Sequence, residues 1–538
     1  MRYGLGTAAA ETVLTRLAVE GRLVEGEFRP GGTRREWTDA GVLRMLRRRS
    51  LAKLRHEIEP VDQEVLGRFA TTWQGIVKRR HGADALLDAI EQLQGAPLAA
   101  SILETEILPA RIDVYDPADL DAVTSAGEVV WVGVEPLGER DGRVALYLAD
   151  HLPRLLAPRT APPGRGLDLD LSERELAILD CLRARGASFF GPLHDAVGGG
   201  YPAETVDALW NLVWQGLITN DTFHALRAFT RARAPRRKQK ARRPDVSAFR
   251  SRRLAPPSAE GRWVLVQAEG ARGFQPGDDR SLKRLAPQSG AMKGATTKWA
   301  AALTQQLLAR HGVITREAVA AEAIPGGFGI VYPVLKGMEE NGRIRRGYFV
   351  AGLGATQFAM PGALDLLRSM RDVPDDVEIA VLAATDPANP YGATLKWPTR
   401  KQPQGSRSTQ SNALPASSAP PSAIALEDTA RGPTRSVGAT VILVNGALAA
   451  YLARGDRQLV TFRPEAEPDR SKVGRAVARV LIDRARTGGD APRGMLIEEI
   501  DGTPASRHPL APLLIEAGFI SGAMGFQATF PKARESVG

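Results

Sequence analysis

The sequence predicts an α+β protein: a tandem array of winged-helix modules followed by a small α+β C-terminal domain. Three observations predict it. A unit recurs in which a helix ends at a glycine-containing turn and a short apolar strand follows, often with a second strand after a small loop. Its copies read ETVLTRLAVEGRLVEGEF, then PADLDAVTSAGEVVWVGV closed by GRVALYLAD, then PAETVDALWNLVWQGLITNDTFHALRAF, then FGIVYPVLKGMEENGRIRRGYFVAG closed by TQFAM. Helix followed by β-ribbon is the second half of a winged helix-turn-helix, whose second helix is presented to the DNA major groove. Nucleic acid is the expected partner; an array that joins subunits into a homo-oligomeric scaffold is the alternative. The second observation is size: 538 residues exceed one core, and 43% apolar with 25% charged residues is ordinary for globular protein. The third is the charge. Residues 231–253 hold eleven Lys or Arg and one Asp, which equals the whole net excess of +10. A concentrated basic run reads as a phosphate-binding arm, with a solvated linker as the alternative.

Taken in order, residues 1–37 give a partial winged helix, with Ala10, Val13, Leu14 and Leu17 on one helix face and a two-stranded wing after it. Two further helices are expected to precede it, from the same polypeptide or a partner. Residues 38–59 form a basic connector helix, with Arg44, Arg47 and Arg48 as phosphate contacts or as a solvated face. Residues 60–156 form the next module, with helices near 62–79, 83–94, 98–108 and 117–126 and a wing. The Pro/Gly-rich stretch 157–167 is a boundary.

Ser172 with Glu175 reads as a capping box opening a module over 168–230, with a turn at Gly198–Gly200 and a candidate recognition helix at 203–215. A basic linker follows over 231–258, carrying Arg236, Arg237, Lys238, Lys240, Arg242 and Arg243 as DNA contacts. Residues 259–295 are a connector containing a strand near 262–270. The module at 296–372 has a candidate recognition helix at 329–341 and a wing bearing Arg343, Arg345 and Arg346. Residues 373–400 start the C-terminal α+β domain. Residues 401–436, rich in Ser, Pro, Ala and Gln, read as a disordered insertion. Residues 437–534 complete the domain, and Asn445-Gly446 marks a type I′ hairpin within it.

Several chemistries find no signal. No GxxxxGK[ST] string occurs to cradle nucleotide phosphates, and PGGFG at 325–329 lacks the lysine. The seven histidines show no metal-ligand spacing, and the single cysteine, Cys181, sits among apolar residues and allows no disulfide within one chain. No cofactor is expected in this chain. One cysteine and no apolar signal region suit a cytoplasmic protein, and the stretch from Val437 to Leu452 is broken by a turn and is too short to span a membrane.

REWTDAGVLRMLRRRSLAKLRHEIEPV with WQG, EQLQGAPL and ILPAR resembles the region after the motor in large helicase-related (Lhr) superfamily II DNA helicases. LAATDPANPYGATLKWP, LAAYLARGDRQLVTF and HPLAPLLIEAGF resemble that family's C-terminal extension. The resemblance covers all but the basic arm and the 401–436 insertion. It implies a DNA-repair helicase whose ATP- and Mg²⁺-binding motor precedes Met1, in the same or an upstream-encoded polypeptide. A second, weaker resemblance is carried by AIEQLQGAPL and YDPADLDAVTSAGEVVWVGV, which are similar to AlkZ-type DNA glycosylases. It implies that Gln92 and Gln94 orient or activate the water that hydrolyses the glycosidic bond of a damaged or deaminated base, with Asp386 as auxiliary carboxylate. The residues themselves leave open that Gln92 and Gln94 are only the polar side of a helix ending at Gly95, and that Asp386 only shapes a turn before Pro387.

Overall fold

The computed structural model describes residues 6–28, 35–46, 48–49, 59–158, 171–231, 255–266, 289–374, 376–399, 432–486 and 494–528. The expectations at Arg47, the six basic residues from Arg236 to Arg243 and the insertion at 401–431 lie outside these residues. The chain divides into two units, Met1–Val61 and Asp62–Gly538.

In the first unit, helix α1 (Thr7–Val19) turns at Gly21 into β1 (Leu23–Gly26), which pairs antiparallel with β2 (Glu36–Asp39). The Asp39 carboxylate accepts backbone N–H bonds from Gly41 and Val42, and these donors hold its pKa below the usual carboxylate value. That cap starts the expected connector helix, seen at 40–46 and 48–49.

The second unit begins with α2 (Gln63–Trp73) and α3 (Ala83–Leu93), then β3 (Leu98–Ala99), α4 (Pro117–Ser125), β4 (Val129–Pro136) and β5 (Gly142–Leu148). The helix expected over 98–108 is interrupted. Gly95 at φ +77° and Pro97 break the chain direction, so Leu98 and Ala99 pair with β5 instead. Only from Ala100 does the chain coil, passing into a π-turn over Leu103–Ile107.

The next module opens at the predicted capping box: Ser172 and Glu175 bond reciprocally at the start of α5 (Glu173–Arg185). Helices α6 (Phe190–Ala196) and α7 (Pro202–Trp214) flank the glycine turn, where Gly198, Gly199 and Gly200 all have positive φ. After α7 come β6 (Ile218–Asn220), α8 (His224–Thr230) and β7 (Trp263–Leu265). The strand expected in the connector is β7, and it belongs to this module: it pairs antiparallel with β6 in the register Ile218↔Leu265 and Asn220↔Trp263. The ribbon therefore closes across residues 232–254. This module and its predecessor share one core, in which Trp131 stacks on Trp210 at 6.2 Å and meets Phe223 edge-on.

Helix α9 (Ser289–His311) leads to β8 (Val313–Ile314), α10 (Arg316–Ala321), α11 (Gly327–Glu340), β9 (Arg345–Gly347), β10 (Gln357–Ala359) and α12 (Pro361–Ser369). The wing sheet runs β8-β10-β9. PGGFG forms the turn into α11, as expected.

The C-terminal domain is assembled from both predicted pieces. β11 (Ile379–Ala383) pairs with β12 (Thr440–Val444), followed by β13 (Ala447–Leu452), β14 (Gln458–Thr461), α13 (Asp469–Arg486), β15 (Met495–Ile497), β16 (Glu499–Ile500), β17 (Thr503–Pro504), α14 (Ala511–Ala517), β18 (Ile520–Gly522) and β19 (Gly525–Ala528). Its main sheet has six strands in the order β11-β12-β13-β14-β16-β17, and a second has the order β15-β19-β18. Asn445 and Gly446 both take positive φ, +49° and +79°, as a type I′ turn requires. That turn packs on α2 backbone to backbone. A Cβ on Gly67 would collide with the Gly446 carbonyl, and one on Gly446 with the Glu64 carbonyl. Among the described residues, no helix is long and apolar enough to cross a membrane.

Candidate nucleic-acid interface and the Gln92–Asp386 junction

In the wing after α11, Ile344, Phe349 and Val350 turn inward, while Arg343, Arg345 and Arg346 are exposed. Buried Gln357 stiffens the ribbon: its Oε1 accepts from the Phe349 and Val350 N–H groups, and its Nε2 donates to the Val350 and Gly354 carbonyls. The Arg346 guanidinium lies 5.9 Å from the Phe358 ring centroid. None of the three arginines has a carboxylate partner among the described residues.

The two candidate recognition helices present different faces. The open face of α11 presents Gly329, Pro333, Lys336 and Glu340, and Lys336 already faces Glu340 at 3.7 Å. That face holds no Arg, Asn or Gln to form a bidentate base contact. The candidate recognition helix at 203–215 is α7. Its apolar side is buried against β4, where Gly133 leaves room for the Val213 carbonyl, and its exposed side carries Glu204, Asp207, Asn211 and Gln215. Around α4, Asp113, Asp116 and Glu128 are exposed in the same way. In the first unit Arg44 and Arg48 are exposed.

Gln92 and Gln94 lie at the end of α3, held differently. Gln94 is 1% exposed and has both ends occupied: Oε1 accepts from the Leu148 N–H at 2.9 Å, and Nε2 bonds to the Glu91 carbonyl and to His151 Nδ1. Gln92 is half-buried. Its Nε2 donates to the Trp73 carbonyl at 2.9 Å, while its Oε1 has no partner among the described residues. The C-terminal end of α3 is capped from α9. Gln306 Nε2 donates to the carbonyls of Glu91 and Gln92, and Arg310 to those of Gln92, Leu93 and Gln94.

Asp386 follows β11 and is fully buried. Arg111 grips both its oxygens, Nη1 to Oδ2 at 2.8 Å and Nη2 to Oδ1 at 2.7 Å. Oδ1 also accepts the Ala388 N–H at 2.7 Å, as in an Asx turn. Arg111 Nη2 further donates to Gln74 Oε1 at 2.5 Å. Arg435 clamps the same loop through the carbonyls of Thr385, Asp386, Asn389 and Tyr391, and burial pushes its guanidinium pKa down. Gln92 and Asp386 thus converge on adjacent residues, Trp73 and Gln74, but Asp386 is enclosed. Sequence reasoning misses Gln74, Arg111, Arg310 and Glu322. Arg111 falls inside the string ILPAR, but nothing in its spacing announces a partner far along the chain.

Glu322 is the most perturbed acid at this junction. Burial alone would raise its pKa; Arg310 and His311 beside it bring it down to about 2. Its Oε1 lies 2.7 Å from His311 Nε2, and its Oε2 pairs with Arg310. Among the described residues no group of three or more acidic, His or Cys side chains is placed to hold a metal ion.

Residues 61–149 and 293–379 each match a family model described as large helicase-related protein, winged-helix domain. The chain is 38% identical over 515 residues to the Lhr helicase/probable uracil glycosylase of Mycolicibacterium smegmatis, covering 93% of this chain and 30% of that protein. It is 31% identical over 555 residues to the Lhr helicase/uracil glycosylase of Escherichia coli, covering 97% and 32%. The chain thus spans about a third of the length of these relatives. Among solved structures, Streptomyces sahachiroi DNA glycosylase AlkZ aligns with 82% of this chain and all of its own at a TM-score of 0.43 and 12% identity.

Proposed function

We propose that this chain, which resembles the C-terminal region of large helicase-related proteins, is the nucleic-acid-binding part of an Lhr-type ATP-dependent DNA helicase acting in DNA repair. One observation carries the reading: Arg343, Arg345 and Arg346 stand exposed on a stiffened wing with no carboxylate partner among the described residues, beside a face of α11 without Arg, Asn or Gln. Phosphate contacts of this kind fix position without reading sequence. Arg44, Arg47 and Arg48 and the basic residues Arg236, Arg237, Lys238, Lys240, Arg242 and Arg243 extend the same chemistry. ATP turnover belongs to motor segments, since no GxxxxGK[ST] string occurs in this sequence. The test is binding of the purified chain to unrelated duplexes across a salt series, with an ATPase assay alongside. Tight binding confined to one sequence, or DNA-stimulated ATP hydrolysis, overturns the reading.

A second reading is removal of a damaged or deaminated base. It is favoured by the free carbonyl of Gln92 at the end of α3, and the names of both relatives include uracil glycosylase. In this reading Gln92 orients the attacking water. Gln94 and Asp386, whose side chains are occupied, hold α3 and the facing loop in place. Abasic-site formation in a uracil-containing single strand is the measurement, because an unstacked base costs least to present.

A further inference from the structure

Between α2, the end of α9 and the loop after Asp386 lies a cavity of about 30 Å³, lined by Gln74, Arg310, His311, Thr315, Pro387 and Pro390 among others. That volume suits about two waters. His311, on its wall, is 16% exposed. Two polar groups on its wall are unpaired toward the protein. Gln74 is 3% exposed; Arg111 occupies its Oε1, and its Nε2 has no partner among the described residues. His311 contacts Glu322 through Nε2, and its Nδ1 has no partner among the described residues. The Glu322 carboxylate is ionised and can only accept, so Nε2 carries the proton. In the neutral ring Nδ1 then keeps its lone pair.

We propose that His311, oriented by Glu322, is the general base that activates a water held in this cavity beside the Gln74 amide. The inference rests on the base-removal reading and adds what that reading lacks. Gln92 is a neutral amide and too weak to take a proton. An imidazole fixed by a carboxylate is the usual solution, with the base oriented by a third group. The cavity lies next to the Gln pair: Gln92 bonds to Trp73, one residue before Gln74, and Arg310, one residue before His311, bonds to the Gln92 carbonyl. A water O–H bond breaks and its proton moves to His311 Nδ1. The oxygen lone pair forms a bond to the sugar C1′. The C1′–N bond breaks, and its electron pair leaves with the base. The base nitrogen takes up a proton from solvent, and the imidazolium returns its own to solvent. The products are the free base and an abasic sugar.

The experiment measures abasic-site formation by the purified chain on single-stranded oligonucleotides, each with one uracil or another modified base, between pH 5 and 9. Glu322 contacts the imidazole, Arg310 pairs with the same carboxylate, and Arg435 acts on Glu322 in turn. The unmodified chain should show a rate that falls on acidification, as general-base catalysis requires. His311→Ala should lower the rate about a hundredfold, the scale of one general base, and remove that acidic limb while leaving DNA affinity unchanged. His311→Gln can keep a donor to Glu322 without a base, so it should lose activity equally and covers the case in which the alanine variant misfolds. If the unmodified chain excises a base and both folded variants match its rate, the inference is overturned and base removal stands. If the unmodified chain forms no abasic sites on any substrate, both fall together.

Discussion

Arg111 and Asp386, 275 residues apart, form a two-pronged ion pair that is buried on all sides, with exposures of 2% and 0%. The pair fastens the π-turn of the 60–156 module to the first loop of the C-terminal domain. Removing one partner strands a charge in the interior. Asp386→Ala should therefore destabilise the second unit by about 3–5 kcal/mol. The double change Arg111→Met with Asp386→Leu should cost clearly less. Urea unfolding of the two variants distinguishes them. An Asp386→Ala protein as stable as the parent would show that the clasp is not formed in solution.

Replacing Arg343, Arg345 and Arg346 with Ala should weaken binding to all duplexes alike. Every phosphate no longer neutralised should flatten the dependence of log K on log salt by ~0.9 on B-DNA. The six-residue change from Arg236 to Arg243 should act in the same direction. A changed preference among sequences, with the salt slope intact, would place the wing at the bases instead.

Gln92 and Gln94 should separate cleanly. Gln94→Ala leaves the Leu148 N–H without its side-chain partner in the interior, so a loss of about 1–3 kcal/mol of stability is expected. Gln92→Ala should leave the melting temperature nearly unchanged. If the chain removes bases, this variant should slow removal about a hundredfold. Equal stability losses at the two positions would contradict the hydrogen bonding described.

Glu322 gives the molecule an acid-sensitive fastening. Its pKa is lowered from 4.5 to about 2 in the folded state. A group depressed on folding stabilises fully above its unfolded value and loses that contribution as pH falls through its folded value. Stability should decline from about pH 4.5 toward 2, and Glu322→Gln, less stable at neutral pH, should show a shallower decline. Urea midpoints across that range are the readout.

What local chemistry encodes is legible in the sequence. Ser172 and Glu175 sit at capping-box spacing, the Asn445-Gly446 turn demands positive φ, and Arg343, Arg345 and Arg346 fall in the ribbon expected after a helix. What depends on distant partners is not. Leu98 looks helical until β5 offers it a ladder. Which face of α7 stays open is decided by β4, which buries the apolar side and leaves Glu204, Asp207, Asn211 and Gln215 outside. The partner of β6 lies beyond 23 basic-rich residues, and the His311–Glu322 contact crosses a strand and a helix. Of the candidate site, Gln92 and Asp386 are found by resemblance; the residues that bind them together, Gln74, Arg111 and Arg310, belong to no local pattern.

The pairing of β6 with β7 makes the arginine-rich stretch between them a loop with both ends moored to one module, not a tether between two. A single protease cut within 232–254 would leave both strands of that ribbon paired and the fragments associated under native conditions. Lengthening or shortening the stretch should cost little stability, because closure entropy grows only with the logarithm of loop length. Its charges can then vary from one relative to another without disturbing the module that anchors them.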